Sequence, residues 1–195
     1  MKPWRKIMGC SELCRPYLED QSLKRLNLGS GPTKIEGAIN VDIDPHSEPD
    51  VVHDLNQFPY PFEDSTFDYV HCSQVIEHLR DTIPVMEEIG RITKPGGLVY
   101  VGVPHYASGI ANTDPTHLRF FGAMTFKRYF PHGVYMNPGI RLPLVKLELD
   151  FSRLYKPFGL HWLANLAPRF YEDHWANMVP AKFVHALMRV EKDAS

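Results

Sequence analysis

The sequence lacks any apolar run long enough to cross a bilayer, which takes roughly 20 residues. Its longest runs span only a few residues, as in Leu98–Val101, and no transmembrane helix is expected. No apolar segment follows the basic first residues before Glu12, so a signal peptide is not expected either. Cysteine is scarce, since Cys10, Cys14 and Cys72 are the only three and have no zinc-like or redox-like spacing. We therefore expect a cytoplasmic protein with reduced thiols.

The chain also lacks a strong net charge, because 21 basic and 23 acidic residues leave a balance of −2. A basic nucleic-acid binder is therefore not expected. The charge is uneven, with 10 basic and 17 acidic residues over 1–116 but 11 and 6 over 117–195, where 14 of the 23 aromatic residues also lie. This second segment is the place to expect an anionic, lipid-linked or membrane-surface partner. Stacking of single-stranded RNA on its aromatic residues is a minor alternative.

Short β-rich runs alternate with helix and turn signals, a pattern typical of a parallel sheet with crossovers. The clearest helix precedes the fifth strand, begins at Asp81 or Thr82 and is ended by Lys94–Gly97. The last strand also fits a short helix, but we predict a strand at the sheet edge. We expect one α/β domain over 1–195 with a doubly wound, mostly parallel, seven-stranded sheet and one antiparallel strand. Its strands are predicted at 24–28, 39–42, 51–54, 67–71, 98–103, 144–151 and 183–190.

A glycine turn directly follows the first predicted strand, where Gly29 and Gly31 flank Ser30. Such a turn lets backbone N–H groups and a bare Cα approach a bound ligand. A dinucleotide fingerprint requires a third glycine three residues later. Lys34 occupies that position, and too few residues remain before the next strand for a full helix. The sequence therefore disfavours NAD.

Two carboxylates end the next two predicted strands, Asp42 on the second and Asp54 on the third. Open parallel sheets bind ligands at the carboxyl ends of their strands, near the switch in strand order. A carboxylate at the end of the second strand can accept hydrogen bonds from both hydroxyls of a ribose. One at the end of the third strand can accept a hydrogen bond from an adenine amino group. Either acid alone also fits a loop-solvating or helix-capping role.

The order of six short motifs resembles that of the class I S-adenosylmethionine-dependent methyltransferases. The resemblance covers about residues 24–104, a little over 40% of the chain. It implies a Rossmann-like sheet, S-adenosyl-L-methionine as cofactor, and acceptor-side loops and a lid over about 105–182. The usual glycine-rich stretch and first helix are shortened to Pro32–Gly37. The motifs are Leu28–Gly31, Val41–Asp42, Asp54–Leu55, Phe67–Val70, Val75–Leu79 and Lys94–Gly97.

The resemblance also assigns cofactor contacts residue by residue. It implies that Asp42 holds the ribose and that Asp54 with Leu55 flanks the adenine. The methionine end of the cofactor would lie against Gly29, Ser30, Gly31, Cys72 and Ser73.

The acceptor side is predicted from histidines placed after strand ends. His117 and Asp114 are expected to form a hydrogen-bonded acid–base pair, with Arg119 as an anion clamp. His105, directly after the fifth strand, is a second candidate base. These three catalytic candidates, His117, Asp114 and His105, also fit local turn, cap and backbone-bonding roles.

His78 is a predicted substrate contact after the fourth strand. It shares one face of a presumed helix with Gln74 and Glu77. A Glu–His pair can bind a divalent metal, but no further ligand is evident in the sequence, and no metal site is predicted. A packed structural histidine is the alternative.

These patterns predict an S-adenosylmethionine-dependent methyltransferase. Its acceptor would be a small molecule or a saccharide or envelope precursor, methylated at oxygen or nitrogen rather than carbon. One alternative is a non-catalytic cofactor-binding or regulatory module of the same fold. Another is an RNA or protein methyltransferase, although no large basic surface or appended recognition domain is visible.

Overall fold

The computed structural model describes residues 11–131, 136, 139–155 and 159–193. Cys10 and parts of the predicted acceptor-side range, at 132–135, 137–138 and 156–158, lie outside the described residues. The strands are β1 (Arg25–Leu28), β2 (Ala38–Asp42), β3 (Val51–Val52), β4 (Phe67–Ser73), β5 (Thr93–Pro104), β6 (Ile140–Arg141), β7 (Leu144–Phe151), β8 (Ala181–Arg189) and β9 (Glu191–Lys192). The α-helices are α1 (Arg15–Glu19), α2 (Thr82–Ile92), α3 (Gly109–Thr113), α4 (Leu160–Leu166) and α5 (Pro168–His174).

Seven strands form one sheet in the order β3-β2-β1-β4-β5-β8-β7. The first five in this order are parallel, and β8 runs antiparallel to both of its neighbours. The predicted doubly wound, mostly parallel seven-stranded sheet is therefore confirmed. The order reverses between β1 and β4, so the carboxyl ends of these two strands open a crevice for a ligand.

The core explains why the central strands form. All four residues of β1 are buried, as expected for a parallel strand with both faces covered. Helix α2 turns Val85, Met86 and Ile89 onto the sheet, and it begins where Asp81 accepts a hydrogen bond from the Ile83 N–H at 3.1 Å. The predicted helix start is thus confirmed.

Four local predictions are wrong. Helix α2 ends at Ile92, and the Lys94–Gly97 segment expected to end it lies within β5. Strand β8 lies inside the sheet and β7 forms the edge, because β8 is apolar enough to be buried along most of its length. The presumed helix after β4 is a single 3-10 turn at Ile76–His78, since the chain turns sharply at Gln74, where φ is +58°. Cys14 is disulfide-bonded and not a thiol.

Other elements differ from the prediction in length or were not predicted. The third strand is limited to Val51–Val52, and β6 pairs with β9 in a separate two-stranded sheet. Among the described residues, no helix combines the length and the apolar character that a membrane crossing needs.

Behind the crevice, a buried row of tyrosine and histidine side chains crosses β4, β5 and β8. The Tyr69 hydroxyl lies 3.0 Å from His71 Nδ1, and the His71 and Tyr100 rings stack at 4.7 Å. Tyr100 accepts a hydrogen bond from the Ser11 N–H at 3.1 Å, and its hydroxyl lies 2.8 Å from His185 Nδ1. His71 Nε2 in this row is buried without a hydrogen-bond partner among the described residues, and burial lowers the pKa of both His71 and His185 and so favours their neutral forms.

Acid is expected to destabilise the fold through this row. Burial lowers the pKa of His185 from 6.5 to about 4, although the charge of Asp150 acts in the opposite direction. The unfolded chain takes up this proton near pH 6.5, so stability is lost as the pH falls from there towards 4, by up to about 3 kcal/mol. Urea unfolding at several pH values should show a smaller loss in His185→Gln than in the wild type. Parallel pH profiles for the two proteins would contradict this assignment.

Candidate functional site

A cleft of about 420 Å³ opens at the carboxyl ends of β1, β2 and β4, within the size range of small-molecule and cofactor sites. Gly29 and Gly31 form one wall and both have positive φ, +63° and +51°, which favours glycine. A Cβ on Gly29 would lie 2.3 Å from Val75 Cγ2, whereas a Cβ on Gly31 would meet nothing within 4 Å. Gly31 therefore keeps space open for a ligand, and Gly29 allows close packing beneath it.

Asp42 ends β2 and lines this cleft. One carboxylate oxygen accepts the Gly31 N–H at 2.7 Å, and the other accepts the Asp44 N–H at 2.9 Å. Each oxygen keeps a further lone pair for another donor. The glycine turn and the carboxylate are thus locked together in an orientation that suits two neighbouring hydroxyls.

Asp54 and Leu55 stand on the opposite side of the same cleft. Asp54 accepts the backbone and side-chain N–H groups of Asn56 at 2.9 and 3.0 Å, and these bonds hold the pKa of its carboxyl below its usual value. The buried Tyr60 hydroxyl donates to the Leu55 carbonyl at 3.0 Å. This side of the cleft is therefore anionic and firmly positioned.

A second cavity of about 190 Å³ adjoins the first and shares both turn glycines with it. Ser30 and Ser73 line it, whereas Cys72 is a buried free thiol that lines neither cavity. The buried Asn40 side chain accepts the Ile35 N–H at 2.8 Å. This bond holds the shortened loop that follows the glycine turn.

Six cleft-lining residues were not among the predicted site residues; two of them, Val75 and Leu79, belong to one of the six motifs, and four lie outside the motifs. Ile43 is 62% exposed although it is apolar, and its position directly after a strand-end carboxylate was the available signal. The others depend on turns whose paths the sequence does not reveal. The four residues are Ile43, His53, Asn56 and Gln74.

On the acceptor side, the structure brings together His78 and the loop that carries His117. The Leu118 and Arg119 N–H groups donate to the Glu77 carbonyl at 2.7 and 3.1 Å, which fixes the loop against the 3-10 turn. The His78 and His117 ring centroids are 4.7 Å apart, and His78 also lines the cofactor-sized cleft.

Asp114 and His117 do not form the predicted hydrogen bond, since Asp114 Oδ2 lies 3.8 Å from His117 Nε2. Asp114 Oδ1 instead accepts the N–H and hydroxyl of Thr116 at 2.9 and 2.6 Å. These bonds lower the pKa of the Asp114 carboxyl. Asp114 and His117 nevertheless lie next to each other on the acceptor side.

The structure places His105 and Arg119 apart from the cleft lining. His105 is fully buried, and its Nδ1 accepts the Ala107 N–H at 3.2 Å while Nε2 lies 3.3 Å from Glu172 Oε1. The exposed Arg119 guanidinium donates to the Arg80 carbonyl. His105 is thus built into the packing beneath the acceptor side.

Residues 36–101 match the family described as a methyltransferase domain. A SAM-dependent methyltransferase of Archaeoglobus fulgidus shares the fold, with a TM-score of 0.63 and 18% identity over 91% of each chain. The chain therefore matches a methyltransferase domain over about a third of its length and has the fold of the class I methyltransferases. The predicted Rossmann-like architecture of that family is confirmed with it.

Curated relatives of this methyltransferase family match over shorter segments. A demethylmenaquinone methyltransferase of Geobacillus stearothermophilus is 33% identical over 82 residues, which are 42% of this chain and 31% of the relative. An uncharacterized methyltransferase of Schizosaccharomyces pombe is 48% identical over 42 residues, which are 22% and 15% of the two chains. The chain thus spans at most 31% of the length of these relatives.

Proposed function

We propose that this protein transfers a methyl group from S-adenosyl-L-methionine to a small acceptor. The observation that carries the proposal is the pairing of Asp42 with the glycine turn, in which both carboxylate oxygens are fixed by backbone N–H groups. A nucleoside ribose offers two hydroxyl donors at matching positions, and Asp54 with Leu55 provides an adenine site across the cleft.

The two adjoining cavities fit the two ends of this cofactor. The larger cavity suits the adenosine, and the smaller one, lined by Ser30 and Ser73, suits the methionine. When bound, the cofactor supplies a methyl group on a sulfonium sulfur. Cys72, within β4, lines neither cavity, and burial raises its pKa and keeps it a thiol.

Acceptor chemistry is assigned to the side of the cleft that carries His78 and His117. His117 Nδ1 lies 2.9 Å from the Ala111 carbonyl, which can only accept, so Nδ1 carries the proton and Nε2 keeps a lone pair. We propose that this nitrogen receives the acceptor's proton, with Asp114 supporting the charge and Arg119 attracting an anionic acceptor. His105 positions the surrounding elements.

The acceptor is proposed to be a small molecule or a saccharide or envelope precursor, methylated at oxygen or nitrogen. Similarity to demethylmenaquinone methyltransferases supports a small-molecule acceptor. Transfer by positioning alone is sufficient for a reactive acceptor, since ideal orientation supplies up to roughly 7–11 kcal/mol. The cytoplasmic location stays a prediction, because Cys14, one of the thiols on which it was based, is disulfide-bonded.

Formation of S-adenosylhomocysteine tests the activity. The protein is incubated with S-adenosylmethionine and pools of nucleotide-linked sugars, phenols, quinols and amines, and Asp42→Asn serves as the matched inactive variant. Acceptor-dependent product in the wild type and not in the variant is expected. Cofactor binding without product from any pool would instead support the non-catalytic module.

A further inference from the structure

A buried carboxylate without a hydrogen-bond partner lies next to the two acceptor-side histidines. Glu77 is 1% exposed, and neither of its carboxylate oxygens has a partner at hydrogen-bond geometry. Burying a carboxylate in this way is costly unless a positive group accompanies it. Burial raises the pKa of Glu77 to about 7, and the nearby backbone N–H groups of Glu77 and Val75 offset only part of this effect.

Two imidazoles complete the cluster. One oxygen of Glu77 and one nitrogen each of His78 and His117 all lie within 4.8 Å of one another. Ligands about 2.0–2.2 Å from a tetrahedral zinc ion are separated by roughly 3.4 Å. Small side-chain rotations therefore bring these three groups to coordination distance.

Hydrogen bonds at Nδ1 set the tautomer of both histidines. His117 Nδ1 donates to the Ala111 carbonyl at 2.9 Å. The Thr116 hydroxyl donates its one proton to Asp114 at 2.6 Å. It therefore accepts a hydrogen bond from the Nδ1–H of His78 at 2.9 Å. Each ring thus keeps its lone pair on Nε2, and an outer hydrogen bond fixes its orientation, as is typical of metal-binding histidines.

We propose that Glu77, His78 and His117 form a divalent-metal site that favours zinc. Two imidazoles and one carboxylate are the ligand set of catalytic zinc sites, which keep a further position open. A site with two imidazole ligands also disfavours magnesium, because magnesium prefers oxygen ligands. The negative charge of Asp114, 3.8 Å from His117 Nε2, adds to the attraction for a cation.

The metal has a place in the reaction because His78 belongs to both the cluster and the cofactor cleft. An acceptor hydroxyl on the open position would be oriented towards the cleft and would lose its proton more readily. His117 would then act as a ligand in place of the free base proposed above, and the proton of the hydroxyl would pass to solvent water. This role rests on the proposed function and favours oxygen over nitrogen as the methylated atom.

Zinc binding is tested directly by equilibrium dialysis and titration calorimetry on the whole chain. The wild type should bind one zinc ion, and magnesium should bind far more weakly. Thr116 is exposed, and Thr116→Val keeps the shape of the side chain but removes its hydrogen bond to His78. This variant should weaken zinc binding about 10- to 100-fold. His117→Ala should abolish binding, and His174→Ala, an exposed histidine on α5, should leave it unchanged.

Equal zinc binding in the wild type, Thr116→Val and His117→Ala, or no binding in the wild type, would overturn the metal site. S-adenosylmethionine binding by the same preparations is a separate readout, so failure of the proposed function is distinguishable from failure of the metal site. Removal of zinc by a chelator should stop turnover of a hydroxyl acceptor and leave cofactor binding intact. Unchanged turnover would overturn the acceptor role of the metal.

Discussion

Asp42→Asn is expected to weaken S-adenosylmethionine binding by about 10²- to 10⁴-fold. Each charge-assisted hydrogen bond to a ribose hydroxyl is worth about 1.5–3 kcal/mol, and every 1.4 kcal/mol corresponds to a factor of ten. The substitution keeps the size of the side chain and one acceptor oxygen for the glycine turn. Titration calorimetry measures the change.

The control for this variant is Asp44→Asn. Asp44 lies two residues further on, is exposed, and accepts the His46 N–H at 2.9 Å without lining either cavity. Its substitution should leave cofactor affinity unchanged. Equal affinities for Asp42→Asn and the wild type would remove Asp42 from the binding site.

Gly31→Ala is expected to weaken cofactor binding while the protein still folds. The alanine Cβ would enter open space in the cleft, where the cofactor is proposed to lie against the glycine. An extra methyl group in a close-packed contact costs about 1–3 kcal/mol, which corresponds to a loss of affinity of about 5- to 150-fold. Calorimetry and thermal unfolding on the same samples provide both quantities.

Gly96→Ala provides the matched control. Gly96 also has a positive φ, +79°, and a Cβ there would likewise meet nothing within 4 Å, but it lines neither cavity. Both variants should lose a similar stability, about 1–2 kcal/mol, for the left-handed backbone. Only Gly31→Ala should lose affinity, and equal affinities in the two variants would contradict the proposed position of the cofactor.

Gly29→Ala should behave differently from both, because its Cβ would overlap Val75. This variant is expected to lose more stability than Gly31→Ala. The glycine turn thus contains one position, Gly29, where packing excludes a side chain, and one, Gly31, where only the proposed ligand would.

The fold of residues 24–104 was predictable because its signals are local. A glycine turn, a strand-end acid such as Asp42 and a capped amphipathic helix each depend on a few neighbouring residues. The parallel sheet followed from the alternation of these short elements. The resemblance to a family supplied the order of the motifs and hence the roles proposed for Asp54 and Leu55.

The acceptor side was less predictable because it depends on contacts between distant segments. His105 is held by Glu172, and no local pattern connects the two. Adjacent residues on a regular helix diverge, so Glu77 and His78 suggested no ligand set. The 3-10 turn and the bonds from the 118–119 backbone to Glu77 bring His117 to them from almost 40 positions along the chain.

The edge position expected for the last long strand failed for a similar reason. Its sequence shows that β8 is buried, but strand order depends on where β7 pairs. Leu144–Phe151 alternates apolar and polar residues, as suits an edge strand with one solvated face, and this contrast with β8 was the signal that could have ordered the pair.

Titration calorimetry of the wild-type protein with S-adenosylmethionine, S-adenosylhomocysteine and NAD tests the central claim most directly. The geometry of Asp42 and the glycine turn predicts that both sulfur nucleosides bind. Lys34 in place of a third glycine, and the lack of a helix in the fully described segment between β1 and β2, predict that NAD does not. Binding of neither sulfur nucleoside, or binding of NAD in their place, would contradict the methyltransferase site.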